Sequence, residues 1–174
     1  MELDFEIDKI TESIEDSSTG EVYKTLVLPV TKADLKEVAK KNGWLFDWGF
    51  ELSQPERQVY KILTQNMLKT IQGLISLEKQ KGYVFMHLIE SAPFNIGKNK
   101  RYLGVVFNLV AYACKLSKEY GFDGVLSFDA KTALIPHYEK TLGAVRLGGS
   151  RMGIFEERAE FLINKYFSET EEKI

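Results

Sequence analysis

The chain has 174 residues, of which 44% are hydrophobic, 12% aromatic and 28% charged, and its formal net charge is −2. This length predicts one domain with a sizeable core, and the near-neutral charge excludes a generally basic nucleic-acid binder. One cysteine and two histidines exclude an intramolecular disulfide and a multi-cysteine metal cluster, and they argue against a histidine-rich metal site. No apolar run approaches the roughly 20 residues of a membrane span, and the acidic first residues differ from a signal peptide. We therefore expect a cytoplasmic protein without a membrane partner.

Turn residues and apolar periodicity predict two strands and a helix in the first part of the chain. Apolar residues between positions 5 and 14 alternate weakly and indicate a first strand. Residues 17–20 are typical of a turn, and residues 22–30 are rich in strand formers. Thr31 and Asp34 have the spacing of a capping box, which predicts a helix through Lys41.

Strands and helices alternate through the rest of the chain. Further strands are predicted at residues 58–65, 70–78, 83–90, 124–128, 143–147 and 151–155. Helices are predicted at residues 102–120, 133–141 and 157–167. The run of strands, followed by a strand–loop–helix–strand crossover, predicts an α/β fold with a mixed sheet.

Charge is distributed unevenly along this pattern. Residues 1–21 carry eight acids against one lysine, a local balance of −7, whereas residues 98–118 carry five basic residues and no acid. A run of like charge is usually a solvated face. The basic run is informative because a helix is predicted to begin within it.

The loop before that helix has a composition that suits an anion. The first amides of a helix lack intrahelical partners, and the helix dipole favours negative charge there. Lys98, Lys100 and Arg101 add positive charge, and Gly104 would let a ligand approach the backbone closely. An ordinary solvated loop ahead of a helix explains the same residues. A Walker phosphate loop is excluded, because no serine or threonine follows Lys98.

The loop and the segments around it resemble the GNAT superfamily of acyl-CoA-dependent N-acetyltransferases. The family signature Arg/Gln-x-x-Gly-x-Gly/Ala is matched at Arg101 and Gly104, whereas Val106 replaces the small residue and Lys131 stands where many members carry asparagine. The similarity covers about residues 70–156 and continues through residues 109–117, 121–126 and 137–143. It implies a GNAT-like mixed, mostly antiparallel central sheet flanked by helices, in a single domain over residues 1–174.

The resemblance also implies acetyl-CoA as co-substrate and no metal. The pyrophosphate would bind at the start of the long helix, and the pantetheine would follow the edge of the strand that ends near Glu90. The implied donor-binding residues are Ile89, Lys100, Arg101, Tyr102, Leu103, Gly104, Val105 and Val106.

Two residues are candidates for the chemistry that the resemblance implies. Tyr138 matches the family tyrosine that can protonate the leaving thiolate, and a phenol is close enough to a thiol in pKa to do so. A tyrosine that packs a short helix onto the sheet is the alternative. Glu90 ends an otherwise apolar strand face, which suits a general base for the amine. A solvated or lysine-paired glutamate is the alternative there.

Other candidate groups carry weaker signals. The aromatic residues at positions 44–50, together with Asp47 and Glu51, could form a wall for a cationic amine, and core packing explains them equally. His87 is expected to be a satisfied core histidine, and His137 is a less favoured second acid or base. Cys114 lies among apolar residues and is expected to be buried packing.

These observations lead to a main hypothesis and two rivals. The main hypothesis is acetyl transfer from acetyl-CoA to a primary amine, carried by a small molecule or a protein, in a chain that is also compatible with a homodimer. A non-catalytic acyl-CoA-binding or regulatory module is the first rival, favoured by the departures at Val106 and Lys131. Nucleic-acid binding by residues 98–118 is the weaker rival, because phosphate groups on CoA already account for that charge.

Overall fold

The computed structural model describes residues 1–9 and 13–167. The described chain contains ten strands, four α-helices and short 3-10 turns. The strands are β1 (Ile14–Asp16), β2 (Val22–Tyr23), β3 (Thr25–Pro29), β4 (Arg57–Thr64), β5 (Gly73–Lys79), β6 (Val84–Ser91), β7 (Tyr102–Leu103), β8 (Leu126–Asp129), β9 (Val145–Gly148) and β10 (Arg151–Ile154). The α-helices are α1 (Trp48–Ser53), α2 (Val105–Glu119), α3 (Ile135–Leu142) and α4 (Glu156–Tyr166).

Seven strands form the central sheet, in the order β3-β4-β5-β6-β8-β10-β9. Every neighbouring pair in this sheet is antiparallel except β6 and β8, which run parallel. Because α2 connects β6 to β8, this crossover is the strand–loop–helix–strand unit expected from the sequence. The predicted mixed, mostly antiparallel sheet flanked by helices is confirmed.

Helices α1 and α2 lie on opposite faces of this sheet. A Cβ atom on Gly73 of β5 would come within 2.7 Å of Val105 Cγ1, so that glycine lets α2 pack directly on the strand. The next residue, Leu74, pairs across the ladder with Glu90, whose carboxylate contacts Trp48 of α1. Successive residues of a strand point to opposite faces, so the two helices enclose the middle of the sheet between them.

The parallel contact between β6 and β8 is short. The two strands pair at Val84 with Leu126 and at Phe85 with Ser127, and within the described chain no further pair joins them. Strand β6 nevertheless continues to Ser91 and stays paired with β5 as far as Gly73. Strand β6 therefore pairs with β8 only at its beginning, and the rest of that edge of β6 has no neighbouring strand in the described chain.

A second sheet of three short strands lies against the loop that leads into α2. Strand β1 pairs with β2 on one side and with β7 on the other, so that Glu15 lies opposite Leu103 and Asp16 opposite Tyr102. The Ser17 N–H also donates to the carbonyl of Arg101 at 3.0 Å. The acidic start of the chain is thus folded onto its most basic loop.

Several short elements differ from the sequence predictions. The first strand covers Ile14–Asp16 only, and residues 10–12 lie outside the described chain. Residues 22–30 are divided into β2 and β3. The helix predicted through Lys41 is instead two 3-10 turns, Lys32–Lys36 and Lys40–Asn42, although the Asp34 carboxylate does accept the Thr31 N–H at 2.8 Å.

The predicted long helix begins later than expected. Tyr102 and Leu103 belong to β7, and Gly104, with a φ of 86°, separates them from α2. Pairing with β1 holds these two residues extended, and helical periodicity in the sequence cannot report a partner that lies more than eighty residues away.

Candidate functional site

A cleft of about 710 Å³ opens where β6 and β8 separate. One wall is the free edge of β6, and the far end is formed by the loop before α2 and the first turn of that helix. Residues 1–8 supply much of the opposite wall. The lining from the first two regions consists of Leu88, Ile89, Glu90, Ser91, Asn95, Ile96, Gly97, Lys98, Lys100, Val105 and Val106.

A buried amide holds the loop at the far end of the cleft. The Asn95 side chain accepts the Tyr102 N–H at 2.9 Å and donates to the Gln72 amide oxygen at 3.0 Å. Asn95 is 3% exposed, so both contacts are made away from solvent. An asparagine within a loop gives no warning of this role in the sequence, and Asn95 was not among the predicted site residues.

The first turn of α2 already holds an anionic group. The Asp8 carboxylate accepts the Gly104 N–H at 3.2 Å and lies 3.3 Å from the Lys100 ammonium. The N-terminal amides of a helix attract negative charge, so this carboxylate occupies the kind of position at which phosphate oxygens bind in other proteins. The acidic run at the start of the chain gave the only sequence signal for this contact.

The predicted donor-binding residues divide into two groups in the structure. Four of them, Ile89, Lys100, Val105 and Val106, line the cleft. The Gly104 N–H donates to Asp8, which lines the cleft as well. The other three predicted residues make contacts of their own within the loop. The Arg101 guanidinium lies 5.5 Å above the Tyr102 ring, the Tyr102 hydroxyl contacts the Met67 sulfur at 3.2 Å, and Leu103 pairs with Glu15.

Tyr138 is fully buried on α3 and points toward the start of the chain. Its hydroxyl donates to the carbonyl of Phe5 at 2.5 Å, and the two rings stack with centroids 4.4 Å apart. Burial raises the pKa of the Tyr138 phenol well above its ordinary value, and the nearby acids Asp4 and Glu6 raise it further. The phenol therefore stays protonated and able to donate.

Glu90 lies at the other side of the cleft, where β6 meets the aromatic segment before α1. Its carboxylate accepts the Leu45 N–H at 2.7 Å, the Trp48 indole N–H at 2.8 Å and the Phe46 N–H at 3.4 Å. Glu90 is 5% exposed and also lines the cleft. Tyr138 is not among the described residues that line the cleft, and its hydroxyl instead contacts Phe5, which does line it.

A smaller cavity of about 240 Å³ adjoins the cleft on the α1 side. It shares Phe46 and Leu88 with the cleft, and Phe50, Asp47 and His87 complete much of its wall. The two tryptophans of the aromatic segment, Trp44 and Trp48, are instead buried in the core. Core packing therefore explains the two tryptophans, whereas the wall for a cationic amine stays a prediction for the residues that line the cavity.

The charges of this smaller cavity are largely compensated. The Glu51 carboxylate accepts two hydrogen bonds from the Arg57 guanidinium, at 2.8 and 2.9 Å. One Asp47 carboxylate oxygen accepts the Phe50 N–H at 2.9 Å as the N-cap of α1. His87 is partly exposed and contacts Glu78 at 3.0 Å, which makes it a satisfied histidine at a cavity wall rather than in the core.

The remaining candidates have structural roles. The His137 ring nitrogen accepts the Ile7 N–H at 3.0 Å. Cys114 is fully buried in α2, and this burial raises the pKa of its thiol to about 12, so the predicted packing role is confirmed. Residues 1–9 and 13–167 contain no group of three or more side chains suited to hold a metal ion. None of their helices has the length and apolar character that crossing a bilayer requires.

Comparison with known proteins identifies the fold. The sequence matches no protein-family model and no curated protein. Spermidine N-acetyltransferase from Vibrio cholerae, in complex with CoA and spermine, matches with a TM-score of 0.58 and 12% identity over 79% of this chain and 98% of that one. A chimera of that bacterium's SpeG with hSSAT matches with a TM-score of 0.59 and 15% identity, over 79% and 99%. Nourseothricin acetyltransferase matches with a TM-score of 0.51 and 12% identity, over 75% and 97%. The chain has the GNAT N-acetyltransferase fold that the resemblance implied.

Proposed function

We propose that the protein is an acetyl-CoA-dependent N-acetyltransferase that moves an acetyl group to a primary amine by direct attack. This proposal rests on one observation, which is that a cleft between parallel strands combines a free strand edge with a basic helix N-terminus. The fold, shared with N-acetyltransferases, supports the same function.

The cleft suits the two ends of the donor. The edge of β6 beyond Phe85 offers backbone N–H and C=O groups, which the amide bonds of a pantetheine arm can pair with as a further strand would. The first turn of α2, with Lys98 and Lys100, offers partners for the phosphates. The Asp8 carboxylate on the Gly104 N–H supports this assignment, because an anionic oxygen is already stable at that amide.

The chemistry needs the amine to lose a proton and the sulfur to gain one. In this proposal the Glu90 carboxylate, at the wall shared with the acceptor side, receives the proton of the attacking amine. The Tyr138 hydroxyl delivers a proton to the departing sulfur as the carbon–sulfur bond breaks. Most of the rate enhancement would come from positioning and from backbone N–H groups near the thioester carbonyl.

The smaller cavity is the proposed acceptor side. Phe46 and Phe50 give it an aromatic wall, while Asp47 is the acid that no arginine or lysine neutralises among the described contacts. Because Arg57 neutralises Glu51, the cavity favours an amine with one positive charge and an apolar body over a polyamine. The Vibrio cholerae structure was obtained with spermine, so we expect the acceptors of the two proteins to differ.

A non-catalytic acyl-CoA-binding module is the second candidate. It is favoured by the hydrogen bond from the Tyr138 hydroxyl to the Phe5 carbonyl of the same chain, because a hydroxyl held in this way has no hydrogen for a departing sulfur. In that case the protein binds the donor without turning it over.

Free-thiol release from acetyl-CoA, measured over a panel of primary amines, tests these alternatives together with calorimetry of CoA binding. We expect CoA to bind and thiol to appear with apolar monoamines before polyamines. Binding without thiol release for any amine would support the binding module. Absence of CoA binding, in the full chain and in variants that open the cleft, would contradict the donor assignment.

A further inference from the structure

Residues 3–8, called the strap below, form part of one wall of the cleft in which the proposed donor binds. We propose that the strap covers, in cis, the amide and the hydroxyl that the donor would use, so that acetyl-CoA binds only when the strap leaves. This inference rests on the proposed function, because it uses the assignment of the cleft to the donor.

The beginning of the strap pairs with the edge of β8 beyond the point where β6 stops pairing with it. On that edge of β8 the Val125 carbonyl accepts the Val84 N–H of β6 at 3.1 Å. Four residues further along the same edge, the Asp129 carbonyl accepts the Leu3 N–H at 2.7 Å, and the Lys131 N–H donates to the Leu3 carbonyl at 2.9 Å. Leu3 thus pairs with Ala130 in parallel, as a neighbouring strand would.

The middle of the strap covers the candidate acid. The Phe5 carbonyl accepts the Tyr138 hydroxyl, and the Phe5 ring stacks on the tyrosine ring. Two residues later the Ile7 N–H donates to His137. While these contacts persist, the hydroxyl has no hydrogen to offer to a sulfur atom in the cleft.

The end of the strap covers the candidate phosphate site. Asp8 reaches both the Gly104 N–H and the Lys100 ammonium. Phe5 and Asp8 are three positions apart in the sequence, a span of at most about 11 Å in an extended chain. The strap therefore contacts both the hydroxyl proposed to protonate the sulfur and the amide proposed to bind phosphate.

Charge makes the strap and the donor mutually exclusive. Asp4 pairs with Lys131 at 2.7 Å, and Asp8 pairs with Lys100 at 3.3 Å, so two acids of the strap use two lysines of the cleft lining. A phosphate group at the first turn of α2 would meet the Asp8 carboxylate at close range, and like charges there repel. The acidic start of the chain and the basic loop, noted in the sequence, thus attract each other and hold the strap at the donor site.

The strap lowers the apparent affinity for the donor, because only the fraction of molecules with an open cleft can bind it. Neutralising an acid of the strap should consequently strengthen donor binding, which is the opposite of what loss of a binding residue does. Calorimetry of CoA binding to Asp8→Asn tests this directly. We expect at least a fivefold decrease in Kd, or about 1 kcal/mol.

Glu56→Gln is the matched control, since it removes the same charge from an exposed residue that does not line the cleft. We expect the Kd of this control to stay within a factor of two of the unmodified chain. An equal decrease in the Kd for CoA in both variants would show a general charge effect and would overturn the inference about the strap. Weaker CoA binding by Asp8→Asn would also overturn it.

A reversible covalent lock gives a second test. Neighbouring strands lie about 4.8 Å apart, so cysteines in the double variant Leu3→Cys/Ala130→Cys are within disulfide range. Cys114 is fully buried and does not compete for this bond. We expect the oxidised variant to bind acetyl-CoA, which has no free thiol to reduce the lock, at least tenfold more weakly than the same sample after reduction. We also expect CoA to speed amide exchange at Leu3 and Ile7 in the unmodified protein.

The outcomes separate this inference from the proposed function. If the oxidised and reduced variants bind acetyl-CoA equally, the inference about the strap is wrong and the donor assignment stands. If neither the reduced variant nor Asp8→Asn binds CoA, the donor assignment is wrong and the strap falls with it. If CoA slows exchange at Leu3 and Ile7, the strap remains in place when the donor binds, which overturns the inference.

Discussion

The indole N–H of Trp48 donates to the carboxylate of Glu90 at 2.8 Å, inside the protein. This contact joins the first residue of α1 to the end of β6. The Leu45 N–H reinforces it by donating to the same carboxylate at 2.7 Å. The carboxylate therefore fixes the wall between the two cavities as well as lining the larger one. Any effect of changing Glu90 combines these two roles.

Glu90→Gln should lower the free energy of unfolding by about 1–3 kcal/mol. Three N–H groups donate to the carboxylate, and a glutamine would turn its own NH₂ donor toward at least one of them. Denaturant unfolding measures the change, with Glu78→Gln on the partly exposed His87 contact as control. If Glu90 is the base, the variant also loses the acidic limb of the pH–rate profile. A stable variant with an unchanged profile would contradict both roles.

Tyr138→Phe should reduce kcat about a hundredfold, within the range for general acid–base catalysis. The ring can keep its stacking on Phe5, whereas the proton donor is lost. The KM for acetyl-CoA should not rise, because the substitution also removes the hydrogen bond that holds the Phe5 carbonyl of the strap in place. Steady-state kinetics with the best amine measure both constants, and Tyr112→Phe on α2 serves as a control for loss of a partly buried phenol. Full turnover would make Tyr138 a packing residue.

Gly104→Val should weaken CoA binding more than Val106→Gly does. Gly104 has a φ of 86°, a conformation that a β-branched residue adopts only under strain, and its N–H is the amide that meets an anion. Val106→Gly mainly enlarges the cleft lining and costs about 1 kcal/mol of helix stability. Calorimetry on both folded variants compares them. Equal affinities would show that the phosphates bind elsewhere.

The stability of the protein should fall in alkaline solution because of Cys114. Burial raises the pKa of its thiol from about 9 to about 12, so the folded protein keeps the proton while the unfolded chain releases it. The free energy of unfolding is therefore unaffected by titration of this thiol below pH 9. Between pH 9 and 12 it falls by up to about 1.4 kcal/mol per pH unit. Unfolding free energies across this range should decline less steeply for Cys114→Ala. Parallel declines would show that the tyrosines alone are responsible.

Long periodic segments made most of the fold predictable. The alternating runs of β4, β5 and β6 and the helical spacing of α2 were recognised within a few residues of their bounds. The elements that differ are short. A two-residue strand such as β7 has too few residues for a period, and its conformation depends on pairing with β1.

The site was predictable only where its residues are neighbours in sequence. The start of α2, with Lys100 and Val106, could be placed from composition and from the family signature. The partners of Glu90 come from residues 45–48, and the partner of Tyr138 is Phe5. These contacts depend on how distant segments meet in the sheet, which no local pattern records. The acidic run gave a signal, and its meaning emerged only with its pairing to the basic loop.

The unpaired edge of β6 also bears on how the protein avoids self-association. An exposed strand edge is a template for pairing with another chain, and apolar edges of this kind promote aggregation. Here the free backbone groups lie at the bottom of a cleft, on residues such as Met86 and Ile89 that are almost completely buried. A small ligand or a single extended segment can reach them, whereas the strand of another folded protein cannot. The protein thereby keeps an open ladder for recognition without the usual hazard of fibrous assembly.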